Sequence, residues 1–194
     1  RVPGTVITGD RDDDGMKEIY VFTLSGDSVL LHVIPDYREA GIPPGNRYIA
    51  RVGKRNNKSD PYIIPAEMDD LTGDGIKELI FGIGTGYSLK PRSVFAWNAV
   101  CDTLVISPES GYFLQGILQE DIDGDQEKEI IPYGYAASNV RDSAIPYPDR
   151  NTWLMVLNRK LLFAFNPLAF PGQYSNLKPV VLSGNHHAPI LAAL

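Results

Sequence analysis

One nine-residue pattern, written three times, constrains this chain more than anything else in it. The copies are Asp10-Arg11-Asp12-Asp13-Asp14-Gly15-Met16-Lys17-Glu18, Asp70-Leu71-Thr72-Gly73-Asp74-Gly75-Ile76-Lys77-Glu78 and Asp121-Ile122-Asp123-Gly124-Asp125-Gln126-Glu127-Lys128-Glu129. Each runs straight into an apolar stretch: Ile19-Tyr20-Val21-Phe22, Leu79-Ile80-Phe81 and Ile130-Ile131. Oxygen-bearing side chains at the first, third and fifth positions, a carbonyl near the seventh and a carboxylate at the ninth can face one centre. A hard cation such as calcium takes about six to eight oxygens in that kind of shell. The candidate ligands are Asp10, Asp12, Asp14, Met16 and Glu18; Asp70, Thr72, Asp74, Ile76 and Glu78; and Asp121, Asp123, Asp125, Glu127 and Glu129. Met16, Ile76 and Glu127 would offer backbone carbonyls, and the three loops together would hold up to three Ca2+ ions. Gly15 and Gly75 permit the sharp turn at the sixth position.

The nearest rival pattern is the EF-hand, which needs a bidentate Glu at the twelfth loop position and helices on both sides. The twelfth residues here are Val21, Phe81 and Pro132, and the flanks have strand character. The pattern is therefore a calcium loop set in β structure. Three acidic hairpin turns without metal are the plainer alternative, and the threefold recurrence with the same trailing Lys-Glu weighs against it. Two departures stand out. Thr72 replaces a carboxylate, which makes the second site one charge weaker. Gln126 replaces the glycine, so the third loop must strain its turn or use a different one.

These loops resemble those of FG-GAP (integrin-α-type, also called VCBS-type) repeats. In that family each β-propeller blade carries a D-x-[D/N]-x-D-G-x-x-[D/E] calcium loop between its first two strands. The resemblance extends over nearly the whole chain and is tightest at the loops. It implies an all-β fold, a β-propeller of four-stranded blades. The first Asp of each loop recurs after 60 and then 51 residues, the length of one blade with its loops. Blade one then covers about residues 1–58, with strands near 4–8, 18–24, 28–34 and 47–52. Blade two covers about 59–110, with strands near 61–68, 78–83, 93–98 and 103–107. Blade three covers about 111–183, with strands near 112–119, 129–133, 152–158 and either 161–165 or 179–182, and a further blade begins at about 184. The strands after the loops are apolar on both faces, as strands buried on both sides are, and no window shows a sustained helical period. Three to four blades do not close a ring, since propellers have about four to eight. The expectation is a segment of a larger propeller, seven-bladed as in the resembling family, completed by further blades or by self-association. A start at Arg1 without Met and an apolar finish over residues 188–194 fit a trimmed or truncated chain.

The net charge of −6 is concentrated: 16 of the 24 Asp and Glu residues lie in or beside the three loops. Metal would neutralise much of it, and no clustered basic face is left for nucleic acid. The one basic run, Arg51 to Lys58, reads as a solvated hairpin or linker turn. The single Cys101 cannot form an internal disulfide and reads as a small buried hydrophobe. No apolar run is long enough to insert in a membrane. Calcium is plentiful outside the cytosol and extracellular modules bind it weakly, so the expected location is extracytoplasmic: periplasmic, secreted or on the cell surface.

Other features carry less. Gly82-Ile83-Gly84-Thr85-Gly86 lacks the Lys-Ser/Thr of a phosphate loop and reads as a strand end where neighbours come close. Residues 136–150 form a long insert, and such inserts often hold binding groups. Arg92, Asn139, Arg141 and Tyr147 are the candidate ligand-binding residues. Trp97 and Trp153 are expected at matching third-strand positions, packed between blades. His32 reads as edge or core, and His186-His187 as a terminal loop. No nucleophile elbow, His-Glu-x-x-His or Cys-His pair is present.

The expected function is a non-catalytic, calcium-stabilised module for ligand binding or sensing. The stretch from Gly86 to Arg92, the stretch from Thr152 to Leu157, and Phe170-Pro171-Gly172 resemble parts of FG-GAP-type extracytoplasmic domains attached to bacterial membrane sensor kinases. One alternative is the propeller domain of a polysaccharide lyase or hydrolase, since similar calcium loops occur in rhamnogalacturonan lyases. It would need free carboxylates, for which Glu109, Asp142 and Asp149 are the candidates. Another is a cell-surface adhesion module, as the integrin resemblance implies. The partner is then a protein or a glycan.

Overall fold

The computed structural model describes residues 5–35, 46–54, 56, 61–85, 90–111, 113–139, 145–172, 176–181 and 190–193. Among these residues every regular element is a strand, so none is a helix long and apolar enough to cross a membrane.

The first sheet contains β1 (Thr5–Gly9), β2 (Glu18–Ser25), β3 (Ser28–Ile34) and β4 (Asn46–Arg51), antiparallel and hydrogen-bonded in chain order. The second repeats this with β5 (Tyr62–Pro65), β6 (Leu79–Gly84), β7 (Val94–Asn98) and β8 (Thr103–Ile106). In both, the acidic loop joins the first strand to the second. The ladder closes directly over the loop, through Gly9↔Glu18 in one sheet and the Asp69↔Glu78 bridge in the other.

The third repeat starts the same way. β9 (Phe113–Glu120) and β10 (Glu129–Tyr135) pair through Glu120↔Glu129 across the third loop. Its outer half is reduced to single bridges, Ile130↔Leu157 and Leu157↔Phe163. Residues 152–158 and 161–165, expected as full strands, instead divide. Asn151–Leu154 becomes β11 and leaves the sheet to pair with β12 (Leu168–Pro171) in a separate hairpin. Asn158 then turns the chain by accepting from Lys160 N and Leu162 N. The expected strand at 179–182 is found as β13 (Lys178–Val181), paired with β14 (Ile190–Ala193), while the residues just before it touch the third sheet through the Tyr135↔Asn176 bridge. The residue opposite Ile130 is Leu157, as Trp97 is opposite Leu79, so Trp153 does not match Trp97.

The sheets pack face to face, which explains the two-sided apolar strands. The Tyr20, Phe22 and Leu31 face of the first sheet meets Leu79, Phe81, Ile83, Phe95 and Trp97 of the second. Phe22 and Phe81 meet edge-on at 4.8 Å, and Phe81 stacks on Phe95 at 5.4 Å. Burial of such rings contributes about 2–3 kcal/mol each. The opposite face of the second sheet, Ile80, Val94 and Ala96, meets Ile130, Leu157 and Leu161. A Cβ at Gly82 would lie 2.6 Å from Leu114 Cδ2, so that side chain would have to move. The first sheet's outer face carries Val6, Ile19, Ile34 and Tyr48, all exposed. Cys101 is exposed as well, in the turn after β7, which corrects its expected burial. His32 pairs with Thr23 Oγ1 at 2.7 Å within the first sheet.

Candidate metal centre

Each acidic loop is held by the same internal hydrogen bonds. The first-position carboxylate accepts from the sixth-position N–H: Asp10 from Gly15 at 2.9 Å, Asp70 from Gly75 at 2.8 Å, Asp121 from Gln126 at 2.9 Å. The fifth-position carboxylate accepts from the seventh-position N–H: Asp14 from Met16, Asp74 from Ile76, Asp125 from Glu127, at 2.7, 2.8 and 2.7 Å. The ninth-position glutamate reaches back to the second-position N–H: Glu18 to Arg11 at 3.2 Å, Glu78 to Leu71 at 2.7 Å, Glu129 to Ile122 at 3.0 Å. Those three glutamates are buried, and so are Arg11 and Leu71, although most of the residues around the loops are not.

The backbone explains which residues this cradle demands. The sixth position is left-handed throughout, at φ 85° for Gly15, 84° for Gly75 and 74° for Gln126. The third loop therefore keeps the same turn and strains a glutamine into it. The fourth position is left-handed too, at φ 58° for Asp13, 75° for Gly73 and 86° for Gly124. Asp tolerates this region better than most residues, and glutamine has no such licence. Only the second loop has glycine at both places.

Carboxylates converge in two of the three loops. One oxygen from each of Asp10, Asp12 and Asp14 lies within 4.8 Å of the other two, and so does one from each of Asp121, Asp123 and Glu129. Asp10 Oδ1 is buried and accepts no hydrogen bond. An orphaned buried oxygen is costly unless something positive meets it, so the first loop fits a hard cation. Oxygen donors without nitrogen or sulfur suit calcium among the common metals. In the third loop burial, followed by the charges of Asp123 and Asp125, holds Glu129 above the usual carboxylate range against the opposing Ile122 N–H. A cation would relieve that crowding.

The second loop differs. No convergent carboxylate triplet forms there among the described residues. Glu78 Oε1 accepts instead from Asn98 Nδ2 at 2.6 Å, and Thr72 Oγ1 stands 3.5 Å from the same oxygen. Burial works upward on Asp70, but the N–H groups of Gly75, Gly73 and Asp74, helped by Arg159, hold it below its ordinary value.

The eighth-position lysine, common to all three loops, joins one loop to the one before. Lys77 N donates to Arg11 O at 2.7 Å and its ammonium pairs with Asp13. Lys128 Nζ pairs with Glu67, just ahead of the second loop, at 2.9 Å. Arg159 bridges Glu127 and the carbonyl of Asp70. The motif displays the Lys-Glu pair but not this backward reach.

Of the candidate ligand residues, the three that are described gather around Asp149 and Gly111, with Gly111 N donating to Tyr147 O at 2.7 Å. Arg92 is buried, bonded to Gly111 O and 4.0 Å from the buried Asp149. Asn139 N donates to Asp149 Oδ2 at 2.9 Å. Tyr147 packs edge-on against Trp153 and Phe163, each ring 5.2 Å away. Arg141 and Asp142 lie outside the described residues, as do His186 and His187. Glu109 is paired with Lys90 at 3.0 Å. No family model matches the chain, and neither a curated protein nor a solved structure matches it.

Proposed function

We propose that this chain is a calcium-stabilised segment of a β-propeller of the FG-GAP type, an extracytoplasmic module that binds or senses a ligand and performs no chemistry. The observation that carries the reading is the recurring cradle: one hydrogen-bond scheme at the root of three successive sheets, with converging carboxylates in the first and third. Asp10, Asp12 and Asp14 would hold one ion, with Glu18 and the Met16 carbonyl able to join them. Asp121, Asp123 and Glu129 would hold another, with Asp125 and the Glu127 carbonyl beside them. The ion supplies positive charge that ties like-charged side chains to one point, so its binding is folding free energy.

The propeller reading draws on the packing. The face of the second sheet that covers the first corresponds, residue for residue after the loop glutamate, to the first sheet's exposed face: Leu79 and Phe81 stand where Ile19 and Val21 do. A further sheet stacked on Val6, Ile19, Ile34 and Tyr48 would extend the array in the same sense. Lys17, which by its position would reach a preceding loop, is exposed. Of the acids considered for catalysis, Glu109 is paired with Lys90 and Asp149 accepts from Asn139 N.

Thermal unfolding followed with EGTA and with calcium tests the proposal. At free calcium about ten times Kd each occupied site adds about 1.4 kcal/mol, so the melting temperature rises by several degrees. A melting curve indifferent to calcium would remove the metal from the account.

A further inference from the structure

We infer that the second loop is not a metal site: the side-chain amide of Asn98 takes the place an ion would fill, and the chain binds two calcium ions, not three. The inference rests on the calcium reading of the first and third loops.

Asn98 ends β7, directly across the sheet from Glu78, and is 3% exposed. Its Oδ1 accepts from Val100 N at 3.0 Å and Cys101 N at 3.2 Å. Those two backbone donors settle which end of the amide is oxygen, since only that end can accept. The Nδ2 end must then face the loop. It donates to Glu78 Oε1 at 2.6 Å and reaches Asp74 Oδ2 at 3.5 Å. An amide nitrogen carries two donors and no lone pair for a metal. It presents positive partial charge to the carboxylates and would present the same to a cation. Admitting an ion would require turning the amide, which would strip two backbone N–H groups of their acceptor.

The rest of the loop agrees. Thr72 stands where the other loops have Asp12 and Asp123, which removes one charged ligand. Both left-handed positions are glycine, so this loop alone folds without a side chain in a disfavoured conformation. Arg159 sits on the Asp70 carbonyl and supplies a fixed cation nearby. The third repeat provides the control. Its matching asparagine, Asn158, makes the same kind of turn through Lys160 N and Leu162 N at 3.0 and 3.2 Å, yet no hydrogen bond joins it to Glu129 among the described residues. There the carboxylates converge.

Native mass spectrometry in calcium counts the ions directly. The expected result is two for the natural chain, two for Asp74→Asn, and one each for Asp14→Asn and Asp123→Asn. Asn98→Asp replaces the donor by an oxygen ligand and is expected to raise the count to three. It should also widen the gap between melting temperatures with and without calcium. Three ions on the natural chain, or a count lowered by Asp74→Asn, would overturn the inference while leaving the calcium reading intact. An Asn98→Asp chain that still holds two would show that the amide is not what excludes the ion. If that variant does not fold, the Asp74→Asn count decides alone. No bound ion on the natural chain removes both readings.

Discussion

The first and second acidic loops share a backbone path, a set of hydrogen bonds and a place at the root of a sheet, and they differ in what faces their centre. In the first, three aspartates turn oxygens toward one point and Asp10 Oδ1 is left with no donor. In the second, an asparagine at the end of the adjacent strand β7 supplies the donor. On the calcium reading proposed above, the first loop would be closed from outside by an ion, whereas the second is closed from within by an amide. The difference lies both in the loop's own residues, where Thr72 stands in place of an aspartate, and in the amide that the neighbouring strand brings to its open side. Asn98 answers Glu78 across the ladder, whereas the residue after β3 at the corresponding place is Pro35, which has no polar side chain to offer.

The comparison breaks most readily at the ninth position. Glu18→Gln and Glu78→Gln are near-isosteric and keep an oxygen for the second-position N–H. Glu18→Gln is expected to cost the calcium-dependent part of stability contributed by one site, about 1.4 kcal/mol at tenfold excess over Kd. Glu78→Gln should leave the calcium response unchanged. Paired melts with and without calcium read both, and equal loss from the two would erase the distinction. A smaller effect separates the loops by backbone strain. Gly75→Ala should destabilise by about 1 kcal/mol whether or not calcium is present, because it forces a side chain into the left-handed region. Gln126→Gly should do the opposite by a few tenths to about 1 kcal/mol, since relief of strain outweighs the added freedom of the unfolded chain. Urea denaturation measures these, and a destabilising Gln126→Gly would mean that its side chain has a role of its own. The smallest effect belongs to a carboxylate outside the loops. The Arg51 guanidinium at 2.8 Å, opposed by burial and then helped by Lys54 at 3.3 Å, holds Asp27 below its ordinary value of 3.8. Its contribution is present above that value and lost as pH falls through the lower folded value. Asp27→Asn should lower the melting temperature slightly at neutral pH, not at all in strong acid, and by the same amount with or without calcium.

The strands around the loops were legible because their cause is local. Apolar runs after each glutamate, turn residues between them and the loop spacing place both complete sheets to within a residue or so, except that β5 stops at Pro65 and not near residue 68. The division of residues 151–171 was not legible, because nothing local distinguishes Thr152 to Asn158 from a third strand. Pairing with Ile130 competes there with pairing to β12, and three-dimensional context decides. The fourth loop position went unread because Asp13, Gly73 and Gly124 share a backbone angle and not a residue type. Asn98 went unread because it lies outside the motif. Its signal, a polar residue at a strand end followed by a turn, is common enough to mean nothing until the ladder sets it opposite Glu78.

The backward reach of Lys77 and Lys128 gives the array a grain, like timber. The second and third units each grip the one before, through Lys77 to Asp13 and Lys128 to Glu67, so neighbours in this series are not interchangeable by reversal. Excising a unit from the middle would juxtapose a grip and a rim that had never met, and the graft would hold only where an ammonium found a carboxylate at the right height.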